Sequence, residues 1–248
     1  MISKSQISLI KSLHQKKYRK EQQLFIVEGF KAISEFLNSD FVINTIFCTP
    51  DFSAKVGNLS NKQKVCEVSI NELEKISVLQ TPQGILAVVE MPKNKAIATS
   101  DIQEMVLVLD GVQDPGNLGT IIRTADWFGF KQIICSENCV EVYNPKVVQA
   151  TMGSLTRVNI AYQSLRELLT KNDLPKYGTL LKGENIFNTS WPTKGFLILG
   201  SEGNGISEEI LDLITHPITI PGGKTTESLN VAIAGAICCA EMSRNKLK

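Results

Sequence analysis

Three glycine-bearing stretches hold the residues best suited to chemistry. The first, Asp110-Gly-Val-Gln-Asp-Pro-Gly-Asn-Leu-Gly-Thr-Ile-Ile-Arg123, runs from an apolar segment, Val106 to Leu109, into a helical pattern. The second, Gly200-Ser-Glu-Gly-Asn-Gly205, follows Phe196-Leu-Ile-Leu199 directly. The third, Ile220-Pro-Gly-Gly-Lys-Thr-Thr-Glu-Ser-Leu-Asn230, lies between a short strand-like run and the last helical segment. Glycine lets a backbone approach a ligand closely, and a helix start leaves N–H groups without intrahelical acceptors, so each stretch can meet acceptor atoms. Each is equally good turn chemistry, since Asp-Pro-Gly and Pro-Gly-Gly form turns in their own right. Their shared position sets them apart: in an open α/β sheet, ligands sit beyond the carboxyl ends of the strands.

Side chains within these stretches narrow the chemistry. Asn117 reads as the N-cap of a helix whose apolar side carries Leu118, Ile121, Ile122, Ala125 and Phe128. Thr120, Arg123 and Trp127 form a second stripe of that helix, where Arg123 either reaches an anionic ligand or makes a surface ion pair. Glu202, set among glycines, can accept from a donor, balance a cation or open a turn. Ser228 and Asn230 either cap the last helix or turn back toward whatever the loop before them holds. Two nucleotide motifs are excluded. Gly223-Lys224-Thr225 resembles the tail of a phosphate-binding loop, but Ile218 stands where that motif needs its first glycine. No Gly-x-Gly-x-x-Gly opens a helix after a strand with an acid placed to follow it. Only two histidines exist, His14 in a basic stretch and His216 before a proline, and both suit structural or solvent roles better than base catalysis.

The elements that must position these residues alternate. Up to Glu90, Leu24–Val27, Val42–Cys48, Val65–Val68 and Ile85–Val89 read as strands between amphipathic segments, and Ser69 with Glu72 has capping-box spacing. We therefore expect a small α/β domain over 1–90, a linker over 91–104 and a larger domain over 105–248. In the larger one, strand-like runs alternate with helical ones, including a helix from about Leu118 to Phe128, one near Lys146 to Thr151 and a last one from Ser228 to about Arg244. That alternation predicts a mainly parallel sheet covered on both faces.

Composition sets the limits. The chain has 248 residues with a formal charge of +1, so no global charge argues for nucleic acid. Its first twenty residues nevertheless hold Lys4, Lys11, Lys16, Lys17, Arg19 and Lys20 without an acid, either a phosphate-binding cluster with Tyr18 beside it or a solvated helix face. Cys48, Cys66, Cys135, Cys139, Cys238 and Cys239 form no Cys-x-x-Cys pair, so neither a metal site nor a disulfide framework is expected. No apolar run is long enough to span a membrane and no signal-peptide core opens the chain. A soluble cytoplasmic protein is expected.

Taken in order, the three stretches resemble the motifs of the SpoU–TrmH family of RNA ribose 2′-O-methyltransferases, in the SPOUT superfamily. They read Asn117-x-Gly119-x-x-x-Arg123, Gly200-x-Glu202-x-x-Gly205, and Ile220-Pro221 followed by Ser228-Leu229-Asn230. Lys17-Tyr-Arg19 with Leu24-Phe-Ile-Val-Glu-Gly29 is similar to the small substrate-binding domain that often precedes this catalytic domain. The resemblance implies an α/β fold whose C-terminal parallel-sheet domain carries a deep trefoil knot. It implies S-adenosylmethionine against Gly200, Gly203, Asn204, Ile206, Ile220 and Leu229, and a catalytic set of Arg123, Asn117, Glu202, Ser228 and Asn230. It further implies RNA contacts at Lys16, Lys17 and Arg19, a homodimer, no metal, and ribosomal RNA in preference to transfer RNA. A transfer-RNA methyltransferase and a non-catalytic RNA-binding protein of the same fold are the alternatives. The departure is Pro221-Gly-Gly, where many relatives have methionine after the proline.

Overall fold

The structure, a computed structural model, describes residues 2–59, 64–93, 95–223 and 228–244. The chain gathers into two compact units, Met1–Lys93 with Glu141–Thr156, and Asn94–Val140 with Arg157–Lys248. The sequence reading gave 141–156 to the C-terminal domain. The structure packs that stretch with the N-terminal unit instead.

The first unit begins with two helices, α1 (Lys4–Ser12) and α2 (Lys16–Gln22), followed by β1 (Leu24–Glu28), α3 (Phe30–Leu37) and β2 (Ile43–Cys48). Then come α4 (Pro50–Leu59), β3 (Val65–Glu67), α5 (Ile70–Glu74) and β4 (Ile85–Glu90). Its four strands lie in the order β1-β4-β2-β3, with β2 and β3 parallel and the other pairs antiparallel. Ser3 with Gln6 and Ser69 with Glu72 close reciprocal capping boxes at α1 and α5, satisfying N–H groups that a helix start leaves open. Ile10, Leu13, Ile26, Phe47, Leu73, Ile76 and Leu86 form one core over this sheet. His14 takes a structural role, its Nε2 3.1 Å from the carbonyl oxygen of Ile76.

The second unit opens with β5 (Met105–Leu109), α6 (Pro115–Trp127) and β6 (Gln132–Cys135). The chain next forms α7 (Pro145–Thr151), which packs against β1 in the first unit, and returns as β7 (Asn159–Tyr162), α8 (Leu165–Thr170) and β8 (Lys176–Asn185). It ends with β9 (Gly195–Leu199), α9 (Glu208–Leu211), β10 (His216–Thr219) and α10 (Val231–Ser243). The six strands are parallel, in the order β10-β8-β9-β5-β6-β7. Central strand β5 leads on to β6 on one side, while its neighbour β9 leads to β10 on the other. A switch point therefore lies between β5 and β9, where such sheets hold ligands beyond the carboxyl ends of their strands.

Two local features shape the C-terminal part of this unit. Pairing of β10 with β8 jumps in register, from Pro217 opposite Gly178 to Ile218 opposite Glu184. At that crossing a Cβ on Gly183 would lie 2.6 Å from the Pro217 carbonyl, so only glycine fits the approach.

Candidate active site

The first loop, between β5 and α6, departs from the sequence reading in one useful way. Asp114, not Asn117, is the N-cap of α6: its Oδ1 accepts the Asn117 N–H at 2.8 Å, and Pro115 occupies the first helical position. The Asn117 side chain is thereby released from capping. Its Nδ2 donates to Glu202 Oε1 in the second loop, and its Oδ1 accepts from Asn230 Nδ2 in the third at 3.0 Å. One amide thus joins all three loops. Asn230 also caps α10, its Oδ1 accepting the N–H groups of Ala232 at 2.9 Å and Ile233 at 3.2 Å.

The second loop is a tight reversal. Ser201 and Gly205 exchange backbone hydrogen bonds of 2.9 and 3.0 Å, and Gly205 has φ +66°. Gly200 faces the returning chain so closely that a Cβ there would sit 2.1 Å from the Gly205 carbonyl carbon. Gly203, by contrast, faces open space, and Glu202 and Asn204 are exposed. The Ile206 side chain is buried in the core with Val106, Val108, Phe196 and Ile198, so it supports the loop from beneath and offers a ligand only its backbone.

In the third loop Leu229 is 48% exposed, Ile220 is half-buried, and Gly222 and Gly223 meet nothing within 4 Å. Ser228 is exposed; Lys224 and Thr225, the pair that resembles a phosphate-binding loop, lie outside the described residues. Apolar side chains without packing partners beside uncovered glycine backbone make a surface onto which a flat apolar group with polar edges can settle. Arg123 stands two helical turns beyond Asp114 on α6, exposed and with no ion-pair partner among the described residues. A guanidinium keeps its charge at any physiological pH, so this one is available to an anion.

The cationic residues of α2 divide. Lys16 and Lys17 are exposed, and the Lys17 ammonium lies 5.7 Å from the Tyr18 ring centroid. Arg19, expected at an RNA surface, is instead 2% exposed. It donates to the Leu13 and His14 carbonyls at 2.9 and 3.0 Å and to Glu141 Oε2 at 2.6 Å. A basic run on a helix places about one residue in three or four on the inner face, and here that residue is Arg19.

Sequence reasoning missed a group beneath the first loop. Ser136 Oγ accepts the Gly111 N–H at 2.9 Å and lies 3.3 Å from Cys139 Sγ. The Cys139 thiol is brought down to about 7, chiefly by a hydrogen bond from Cys135, with Ser136 and the Val112 and Gly111 N–H groups adding to it against the effect of burial. Cys135, the donor of that bond and fully buried, is pushed up. Only the spacing of two cysteines after a strand hinted at this.

Comparison with known proteins gives a consistent result. The model of the SpoU rRNA Methylase family matches residues 104–240, and that of the MRM3-like substrate binding domain matches residues 4–87. The chain is 32% identical to the 23S rRNA (guanosine(2553)-2′-O)-methyltransferase RlmP of Bacillus subtilis, covering 92% of this chain and 91% of that protein. A putative RNA methyltransferase of the TrmH family from Porphyromonas gingivalis superposes with a TM-score of 0.89 at 38% identity over 99% of both chains. An AdoMet-bound rRNA methyltransferase from Sinorhizobium meliloti superposes with a TM-score of 0.88 at 28% identity, over 100% of this chain and 98% of that one.

Proposed function

The chain belongs to the SpoU rRNA Methylase family, and from that premise we propose that it methylates a ribose 2′-hydroxyl of ribosomal RNA with S-adenosylmethionine as donor. The observation that carries this reading to particular residues is the hydrogen-bonded chain Glu202–Asn117–Asn230, which draws three separate loops to the switch point between β5 and β9.

The residues present fit the donor. Ile220 and Leu229 offer apolar surface, Gly203, Gly222 and Gly223 leave backbone uncovered, and Gly200, Asn204 and Ile206 belong to the same loop wall. When bound, S-adenosylmethionine supplies a methyl group made electrophilic by its sulfonium. The protein's share is to hold the ribose oxygen in line and to stabilise the charge that develops on it as its proton departs. Arg123 does the second. A guanidinium with pKa above about 12 is a poor proton acceptor, so it acts as a phosphate clamp and as the donor facing the developing alkoxide. Asn117 and Glu202 hold the first two loops together, while Asn230 and Ser228 fix the end of the third.

The first unit presents the RNA. Exposed Lys16 and Lys17 provide charge for phosphates and Tyr18 an aromatic face, in a segment matching a substrate-binding domain. A homodimer is part of the same reading: α6 and α10 pack together and leave Trp127 81% and Ile233 51% exposed, apolar surface suited to a second copy. A trefoil knot in the C-terminal part of the second unit belongs to it too, supported by the register jump of β10 on β8 and the crossing at Gly183.

Tritium transfer from labelled donor to ribosomal RNA purified from cells lacking the gene tests the function, with the methylated nucleotide then mapped. Incorporation into that RNA is the expected result. Incorporation into transfer RNA alone would transfer the reading to the other substrate, and binding without incorporation would leave an RNA-binding protein.

A further inference from the structure

Asp110 ends β5 and grips both stems of the second loop. Its N–H donates to the Leu199 carbonyl at 2.9 Å, just before that loop, and its Oδ2 accepts the Ser207 N–H at 2.7 Å, just after it. Ser207 lies 97 residues further along the chain. The carboxylate is 6% exposed and forms no ion pair with a cation among the described residues. A charge so buried needs a hydrogen-bond donor, and a charge-assisted bond is stronger than a neutral one.

From this we propose that Asp110 is a positioning residue for methyl transfer: it clips the Gly200–Ile206 loop to the base of the loop leading into α6, and so sets Glu202 against Asn117. Between the clipped stems the second loop is closed on itself by the Ser201–Gly205 bonds and by the contact at Gly200, so it moves as one piece about its stems. Four residues after Asp110, Asp114 caps the helix that carries Asn117 and Arg123. Gly111, with φ +72° and its N–H held by Ser136, makes the turn between them. The two loops are thus joined twice, by Asp110–Ser207 at the base and by Asn117–Glu202 further out. Loss of the basal bond leaves the outer one to hold a loop free to tilt.

The inference rests on the methyl-transfer reading, and its test separates the two. Wild-type protein that incorporates no methyl group removes the reading, whereas the Asp110 comparison is also made by hydrogen exchange on the free protein. Asp110→Ala is expected to speed exchange in the peptide spanning 200–207 and to lower the single-turnover rate about 10- to 100-fold, the scale of an ångström of misplacement, with RNA affinity unchanged. Asp110→Asn keeps an oxygen acceptor and should restore slow exchange and most of the rate, which a need for the charge alone would not allow. Ser207→Pro removes the donor from the other side at a residue whose φ is already −63°. It should reproduce the Asp110→Ala loss, and the double variant should lose no more. Asn as deficient as Ala, additive losses in the double variant, or unchanged exchange and rate in Asp110→Ala would each overturn the proposal.

Discussion

Arg19 and Glu141, 122 residues apart in sequence, form a buried ion pair of 2.6 Å inside the first unit. The pair holds the start of the returning stretch 141–156 to α2, close to where Tyr143 packs on Phe25 with ring centroids 4.7 Å apart. Removing one partner leaves the other charged and buried, which typically costs about 3–5 kcal/mol. Arg19→Met should therefore lower the denaturant midpoint by an amount of that order, read by circular dichroism. A midpoint within error of wild type would show that Glu141 finds solvent or another donor.

Lys16 and Lys17 should behave oppositely. Exposed and free of buried partners, each can be changed to Ala without moving the midpoint. If they meet RNA phosphates, each loss weakens binding at low salt and reduces the steepness of log affinity against log salt by about 0.7–0.9 per contact. Filter binding across a salt series measures both, and an unaltered slope would return the two lysines to a solvated helix face.

The different fates of these neighbours show what the sequence can convey. Periodicity and capping signals reveal elements: Ser69 with Glu72 marks α5, and Ser164 caps α8 by accepting the Glu167 N–H as its spacing suggests. The order of three glycine loops after strands reveals a site, because the switch point gathers whatever follows β5 and β9. What stays hidden is which face of a short helix turns inward, since α2 has too few apolar residues for a stripe to orient Arg19. Hidden too is the competition between Asp114 and Asn117 for one cap. Both types cap well, and Pro115, which suits the first helical position, decides for Asp114. The return of 141–156 to the first unit depends on pairings of high sequence separation that no local pattern records.

Asn230 has two duties that substitution can separate. Its oxygen caps α10 and its amide nitrogen donates to Asn117. Asn230→Asp keeps the acceptor, with a charge favourable at a helix start, but loses the donor, so thermal stability should hold while single-turnover methylation falls about tenfold or more. Asn230→Ala should lose activity and about 1 kcal/mol of stability as well. Full activity in the Asp variant would show that the link to Asn117 plays no part in the reaction.

Cys139 gives a pH dependence of definite sign. Its thiol is lowered in the folded protein from the ordinary value near 9 to about 7, first by the hydrogen bond from Cys135. An acid depressed on folding stabilises the fold fully above its unfolded value, and that contribution is lost as pH falls through the folded one. Against Cys139→Ser, wild type should therefore gain stability between about pH 7 and pH 9, a window in which Cys135, pushed up, stays protonated. Denaturant midpoints of both proteins at either end of the window check this, and a constant difference would remove the thiolate.

Arg123 decides how the ribose oxygen is activated. If its guanidinium only clamps phosphate and faces developing charge, Arg123→Ala should slow single-turnover transfer about 10²- to 10³-fold, the usual scale for losing one such donor, while calorimetry finds the methyl donor bound as before. Arg123→Lys then recovers part of the rate, because an ammonium retains charge but loses the planar, two-pronged geometry. The pH profile discriminates further. A lysine acting as base would need to lose its proton, so its rate would climb steeply toward pH 10, whereas an electrostatic lysine would keep the wild-type profile at a lower level. Parallel profiles for Arg123 and Lys at this position are the expected outcome, and a new alkaline limb in the Lys variant would make residue 123 a proton acceptor after all.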